Sequence, residues 1–270
     1  MNTKTRKQIT VTRLLEMKQR GEKIAVVTSY DASFTHLLER AAVDVVLVGD
    51  SLGMVVQGRQ STLGVSLDDM IYHSACVARA GGAALRIADF PFMSYRSVDQ
   101  ALENGARLMG QGDAHMVKLE GGEINHRSIE ALTGYGIPVC GHLGLLPQSV
   151  HKLGGYRVQG RDEAAAKHLL AEARDLQQAG ASMLVLECIP SELAQQVTEA
   201  LTIPTIGIGA GVDCDGQVLV LYDMLGITPG KRPSFSKDFL AAQPDIQSAL
   251  TAYVKDVKSG EFPSTSHCFS

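Results

Sequence analysis

A (β/α)8 TIM barrel is the fold class that this 270-residue sequence predicts. Three observations carry the prediction. Eight short runs rich in Val, Ile and Leu recur along the chain, continuous rather than alternating, as strands of a parallel sheet buried on both faces do. Patterns with helical spacing separate most of them. Acids, a lysine and a histidine gather at the ends of the runs rather than before them, which is the rim where a barrel carries its chemistry. A doubly wound open sheet uses the same repeat, and the count of eight favours the barrel.

In chain order, residues 1–23 form an amphipathic stretch with no apolar signal core. They are expected as an N-terminal helical extension covering the barrel bottom. The eight runs are Ile24–Thr28, Val43–Val48, Ala84–Ala88, His115–Leu119, Ile137–Gly141, Met183–Leu186, Ile203–Ile208 and Gln217–Leu221. Helices are expected at Ser33–Ala42, Leu67–Ala80, Val98–Met109, His126–Thr133, Asp162–Ala179 and Ser191–Leu201. Ser66 is placed as an N-cap, with Asp68 and Asp69 in the first turn where the helix dipole favours acids. Gly81, Gly110, Gly134 and Gly180 are expected as left-handed caps at helix ends. Residues 236–258 read as C-terminal helix, and 260–270, with Pro263, Ser264, Thr265 and Ser266, as a flexible tail. With no internal linker, 1–270 is expected to be one domain.

Apolar residues make up 45% and charged residues 20% of the chain, a balance that excludes a disordered protein. Twenty-five Lys and Arg against 29 Asp and Glu give a net charge of −4, which is not the footprint of a nucleic-acid binder. No apolar run approaches the roughly 20 residues that cross a bilayer, so no membrane partner is expected. The five cysteines are odd in number and form no CxxC pair, which reads as reduced thiols in a cytoplasmic protein. Cys140 and Cys188 lie in apolar runs as small hydrophobes.

The rim residues are Asp50 and Ser51 after run two, Asp89 after run three, Lys118 and Glu120 in run four, His142 after run five, Glu187 after run six and Asp223 after run eight. Asp50, Asp89 and Glu120 come from consecutive strands. Three carboxylates in one pocket need protons or a cation, and oxygen-only ligands suit a hard divalent ion, Mg²⁺ first. The bland alternative is that each acid caps a helix or pairs with a nearby cation. Lys118 and Glu120 lie two apart and face the same side. Lys118 could hold a substrate anion, form a Schiff base, or simply pair with Glu120. Glu187, in the apolar Leu184–Cys188 setting, suits a general base for a carbon-bound proton. His142 could donate to a substrate oxygen or only shape the pocket. The Gly207–Gly211 turn lies where many barrels bind phosphate, or merely turns tightly. Segments 51–66 and 144–161 are long enough to be lids or binding loops; Lys152, Arg157 and Arg161 of the second could attract an anion or just face solvent.

At this point a family resemblance stands out. The stretches VGDSLGMVVQG (48–58), TLGVSLDDMIYH (62–73), ADFPFMSY (88–95), KLEGG (118–122), GIPVCGHLGLLPQSV (136–150), GGYRVQG (154–160), VLECIP (185–190), IPTIGIGAG (203–211) and DGQVLVLYDMLG (215–226) follow one another in family order. Together they resemble the ketopantoate hydroxymethyltransferase family of pantothenate biosynthesis. The resemblance implies a (β/α)8 barrel and a divalent metal, usually Mg²⁺. It implies hydroxymethyl transfer from 5,10-methylenetetrahydrofolate to 3-methyl-2-oxobutanoate, giving 2-dehydropantoate and tetrahydrofolate. By motif, Asp50 and Asp89 would bind the metal, with Glu120 a third ligand, directly or through water. Ser51 and Lys118 would hold the keto acid, Glu187 would accept the proton and His142 would line the site. The partners implied are a keto acid and a folate, and the assembly a homodecamer. Phe90, Leu146 and Ala42 depart from the family pattern, where Met, Thr and Gly are common; none is an expected ligand or base.

Overall fold

Eight parallel strands close on themselves in sequence order in a computed structural model that describes residues 6–228 and 230–270. They are β1 Ile24–Thr28, β2 Val45–Val48, β3 Leu85–Asp89, β4 Met116–Glu120, β5 Val139–Gly144, β6 Met183–Glu187, β7 Thr205–Ile208 and β8 Gly216–Leu219. Ile24 of β1 sits beside Gly216 of β8 and completes the ring. The expected (β/α)8 barrel is therefore the observed one.

Side chains alternate along each strand, so each strand serves two cores. Ile24, Val26, Val45, Leu47, Leu85, Ile87, Met116, Cys140, Met183 and Val185 fill the barrel interior. The opposite parity, such as Val27, Val46, Val117, Leu119 and Leu184, packs outward with Leu38, Val77, Leu108 and Leu176 of the surrounding helices. Continuing the inward parity to the strand ends aims Asp89, Lys118, Glu120, His142 and Glu187 at the barrel mouth. At the other end, Ile9 and the helix Val11–Gln19 close the bottom, with Leu14 and Met17 joining the interior cluster. Residues 1–5 of the expected extension lie outside the described residues.

The helix Leu67–Arg79 begins as expected: Ser66 Oγ accepts the Asp69 N–H, and Asp69 Oδ2 accepts the Ser66 N–H. Of the four expected glycine caps, Gly81 and Gly180 adopt positive φ. Gly110 and Gly134 instead remain in their helices, and the left-handed turns fall at Asp113 and Gly136. The C-terminal helix is shorter than expected, Ile246–Ser259. Pro244 disfavours helical backbone in the residue before it, and Gln243 is extended. The expected loose tail is tied down. Phe262 is buried against Phe239 and Tyr253, and the Ser191 N–H donates to the Phe269 carbonyl at 3.0 Å. No helix of the described residues is long and apolar enough to cross a membrane.

β2 starts two residues later than expected because the chain turns at Ala42, whose φ is +60°. This left-handed turn explains why glycine suits the position. For an L-residue with a Cβ the conformation costs about 1–2 kcal/mol, partly offset by the freer unfolded chain that glycine brings. Ala42→Gly is expected to stabilise the fold by about 0.5–1 kcal/mol, raising the melting temperature by about 2 °C in calorimetry. An unchanged or lower melting temperature would contradict the strain argument.

Candidate active site

The mouth residues pair across the sheet rather than along a strand. Asp89 and Lys118 are register neighbours on β3 and β4, and Lys118 Nζ donates to Asp89 Oδ1 at 2.6 Å. Glu120 and His142 are neighbours on β4 and β5, with His142 Nδ1 3.6 Å from Glu120 Oε1. His142 Nε2 lies 3.2 Å from Glu187 Oε2 on β6. Neither ring nitrogen has hydrogen-bond alignment, so these two contacts are ionic. Thus Lys118 takes Asp89 as its partner and not Glu120. Adjacent strands are about 4.8 Å apart, whereas residues two apart along a strand are separated by about 6.6 Å.

Asp50 and Ser51 sit just beyond β2. The Asp50 N–H donates to Asp89 Oδ2 at 3.1 Å, and Ser51 Oγ is 2.8 Å from the Tyr30 hydroxyl. Gly49 allows this approach: a Cβ there would lie 2.8 Å from Ser51 Oγ. Gln148, on the turn Pro147–Ser149 after β5, ties the two halves together. Its Nε2 donates to Asp50 Oδ2 and to the Phe90 carbonyl, both at 2.8 Å, and its backbone N–H donates to Glu120 Oε2 at 3.0 Å. The Tyr95 hydroxyl donates to Gln148 Oε1 at 2.8 Å.

Charge is concentrated here in a dry setting. Asp50, Asp89, Lys118, Glu120 and His142 are all buried, and the Glu187 side chain is 13% exposed. Burial, then the Asp89 and Glu120 carboxylates, push Asp50 well above its usual range. Burial also works to raise Glu120, but His142, Lys118 and the Gln148 N–H outweigh it and hold its carboxyl low. Burial and Lys118 pull His142 down, yet Glu120 and Glu187 prevail and bring it up to about 9. Burial pulls on Lys118 too, and the surrounding carboxylates hold it above its ordinary value. A lysine kept protonated is an electrostatic group and not a Schiff-base nucleophile.

These charges define what the mouth can hold. With all four carboxylates ionised they face two cations, Lys118 and His142, and two negative charges are uncompensated; the raised Asp50 value is the sign of that excess. A hard divalent cation matches that deficit and an all-oxygen donor set. Asp50 and Asp89 fit as its direct holders; no hydrogen bond reaches Asp50 Oδ1 among the described residues. Glu120 is engaged by Gln148 and His142, which fits a supporting position behind them. Among the described residues no three Asp, Glu, His or Cys side chains converge on one metal position, because Lys118 stands against Asp89 and Glu120 is turned aside.

Other expected rim features do not join this cluster. Asp223 lies on the short helix Leu221–Met224 and accepts from Thr228 Oγ1 at 2.6 Å. Phe235 and Phe269 occupy the space beside Gly209, and Ser191 that beside Gly211, so this turn serves packing. Lys152, Arg157 and Arg161 face solvent. The two long segments do meet over the mouth, with the Tyr156 hydroxyl 3.7 Å from Met54 Sδ. Cys188, adjoining Glu187, has a φ of +48°, a strained position beside a candidate base. Gln148 and Tyr95 are the functional candidates that a search for charge at strand ends passes over; their only sequence signal is their place in the family stretches 136–150 and 88–95.

A family model described as ketopantoate hydroxymethyltransferase matches residues 8–265. A 3-methyl-2-oxobutanoate hydroxymethyltransferase of Nitrosococcus oceani is 58% identical over 256 residues, covering 95% of this chain and 97% of the relative. Its counterpart from Burkholderia multivorans is 57% identical, covering 98% and 97%. Among solved structures, a putative phosphonomutase from Burkholderia cenocepacia superposes with a TM-score of 0.63 at 17% identity, covering 80% of this chain and 93% of that one. A 2,3-dimethylmalate lyase of the PEP mutase/isocitrate lyase superfamily gives 0.57 at 16% identity, covering 81% of each. The solved structures share the barrel. The near-full-length sequence matches go further, and the chain belongs to the ketopantoate hydroxymethyltransferase family of transferase enzymes.

Proposed function

We propose that this enzyme transfers a hydroxymethyl group from 5,10-methylenetetrahydrofolate to 3-methyl-2-oxobutanoate, yielding 2-dehydropantoate and tetrahydrofolate, with Mg²⁺ as its metal. The observation that carries the reading is the dry barrel mouth in which four inward acids surround one lysine and one histidine. Asp50 and Asp89 would hold Mg²⁺, supported by Glu120, and the bound ion would polarise the keto group of the substrate. Lys118 holds the developing negative charge on the substrate oxygens, in water-poor surroundings where that charge interacts strongly. Ser51, backed by Tyr30, contacts the substrate carboxylate. Glu187 accepts the proton from C3, and His142, 3.2 Å away, holds the Glu187 carboxylate in place. One C–N bond of the folate methylene bridge opens, water adds to the methylene carbon to supply the hydroxyl, and the C3 carbanion forms the C–C bond there as the second C–N bond breaks and tetrahydrofolate leaves with a proton.

A homodecamer in the cytoplasm goes with the same family reading. Tyr72, Ile124 and Tyr135, each at least 65% exposed, offer apolar surface for assembly.

The test is an assay with both substrates and Mg²⁺, run beside an EDTA-treated sample. Formation of 2-dehydropantoate, abolished by EDTA and restored by Mg²⁺, is the expected result. Exchange of the C3 proton without product would retain the metal and base roles and reject the folate step. Neither turnover nor exchange in folded, Mg²⁺-loaded protein would reject the reading.

A further inference from the structure

We propose that Gln148 is the positioning residue for Asp50: its side-chain amide, aimed by the Tyr95 hydroxyl, sets the direction in which the Asp50 carboxylate meets a divalent ion. The inference rests on the metal reading above.

Gln148 is 5% exposed, and its side-chain amide is fully hydrogen-bonded. Both hydrogens of Nε2 are used, one on Asp50 Oδ2 and one on the Phe90 carbonyl. Oε1 is taken by the Tyr95 hydroxyl at 2.8 Å. The amide therefore has one workable orientation. Flipped, its oxygen would face the Phe90 carbonyl across 2.8 Å, an oxygen–oxygen clash with no proton between. The carbonyl oxygen points away from Asp50, so Gln148 directs a ligand and is not itself one. Its backbone N–H on Glu120 Oε2 fixes a second carboxylate of the cluster from the same residue. An uncharged donor suits this place, because a lysine or arginine would cancel the negative charge that attracts the cation. With one carboxylate oxygen committed to the amide, Asp50 keeps its other oxygen free of hydrogen bonds among the described residues. Loss of such a supporting hydrogen bond typically costs about 10–100-fold in metal affinity.

The measurement is Mn²⁺ binding to purified protein, followed by electron paramagnetic resonance without either substrate. Gln148→Met keeps length and volume but removes the donor and acceptor; it is expected to weaken Mn²⁺ binding about 10–100-fold. Tyr95→Phe, which frees the amide to rotate, is expected to weaken it severalfold. The Tyr95 hydroxyl lies 2.8 Å from Gln148 Oε1 and 3.3 Å from the Glu120 carbonyl, and its one hydrogen goes to the closer Gln148, so in the double variant Tyr95→Phe should cost little further. A merely structural role would give additive losses instead, and additivity overturns the proposal. So does Mn²⁺ affinity within twofold of the parent in folded Gln148→Met. Should that variant not fold, Tyr95→Phe decides: unchanged affinity overturns the proposal and a severalfold loss supports it. A parent protein that binds no Mn²⁺ would reject the metal reading itself, a result distinct from binding that ignores Gln148.

Discussion

Asp89→Ala is expected to lower product formation by at least about 10³-fold and to destabilise the fold by about 3–5 kcal/mol. The two losses have different origins. Catalysis should suffer because, in the proposed function, Asp89 is one of the two carboxylates that would hold the divalent ion, and the polarisation such an ion supplies is worth several kcal/mol. Stability suffers because Asp89 is the ion-pair partner of a lysine with 5% side-chain exposure. Removing it leaves the Lys118 ammonium buried beside carboxylates that stand farther off, and also removes the acceptor of the Asp50 N–H. The linkage sign follows from the raised Lys118 value. The stabilisation from this pair is fully present below the ordinary lysine pKa and is lost only as pH rises through the elevated one. The deficit of the variant should therefore appear in full at neutral pH. Urea denaturation at pH 7 reads the stability, and the product assay reads the activity. Asp89→Asn, which retains an acceptor for one donor, should recover part of the stability and little of the activity. A variant with normal activity would remove Asp89 from the metal reading.

The parts of this molecule that were legible in the sequence are those set by side-chain type and period. Eight continuous apolar runs foretold the eight strands, and the inward parity of Leu85, Ile87 and Met116 carried Asp89, Lys118 and Glu120 to the mouth. Element ends were less legible where backbone geometry decided them, as at Ala42 and Pro244. Pairing was not legible at all. A single strand shows that Lys118 and Glu120 share a face, but only the register shows that Lys118 meets Asp89 and Glu120 meets His142. Gln148 lay hidden for a different reason: it carries no charge, and its importance comes from four hydrogen bonds to residues distant in sequence. The contacts of the tail were not legible because its small polar residues mask two anchors, Phe262 and Phe269.

Glu187→Gln is expected to lower kcat by about 10²–10⁴-fold, the usual worth of a general base, with KM for the keto acid little changed. The substitution keeps shape and removes only the charge and the proton-accepting power. In the proposed function the substrate is held by Ser51, Lys118 and the metal and not by Glu187, so the loss should fall on proton transfer. Exchange of the C3 proton with deuterated water isolates that step, because it needs no folate. Exchange should vanish in Glu187→Gln while Mn²⁺ still binds; Asp89→Ala should lose both. The variant should also change the histidine. His142 reaches about 9 only because Glu120 and Glu187 together overcome burial and Lys118. With its folded value raised above the ordinary 6.5 or so, His142 contributes stability that is full below that ordinary value and is lost as pH rises toward 9. Neutralising Glu187 takes away one of the two supports, so His142 should titrate at lower pH; the alkaline stability loss should still begin near the ordinary value but be smaller and end at lower pH. Urea midpoints measured from pH 6 to 10 would reveal the shallower fall. Normal C3 exchange would sink the base assignment. A His142 titration indifferent to the substitution would sever the ionic link between His142 and Glu187, and leave Glu120 alone to hold the imidazolium.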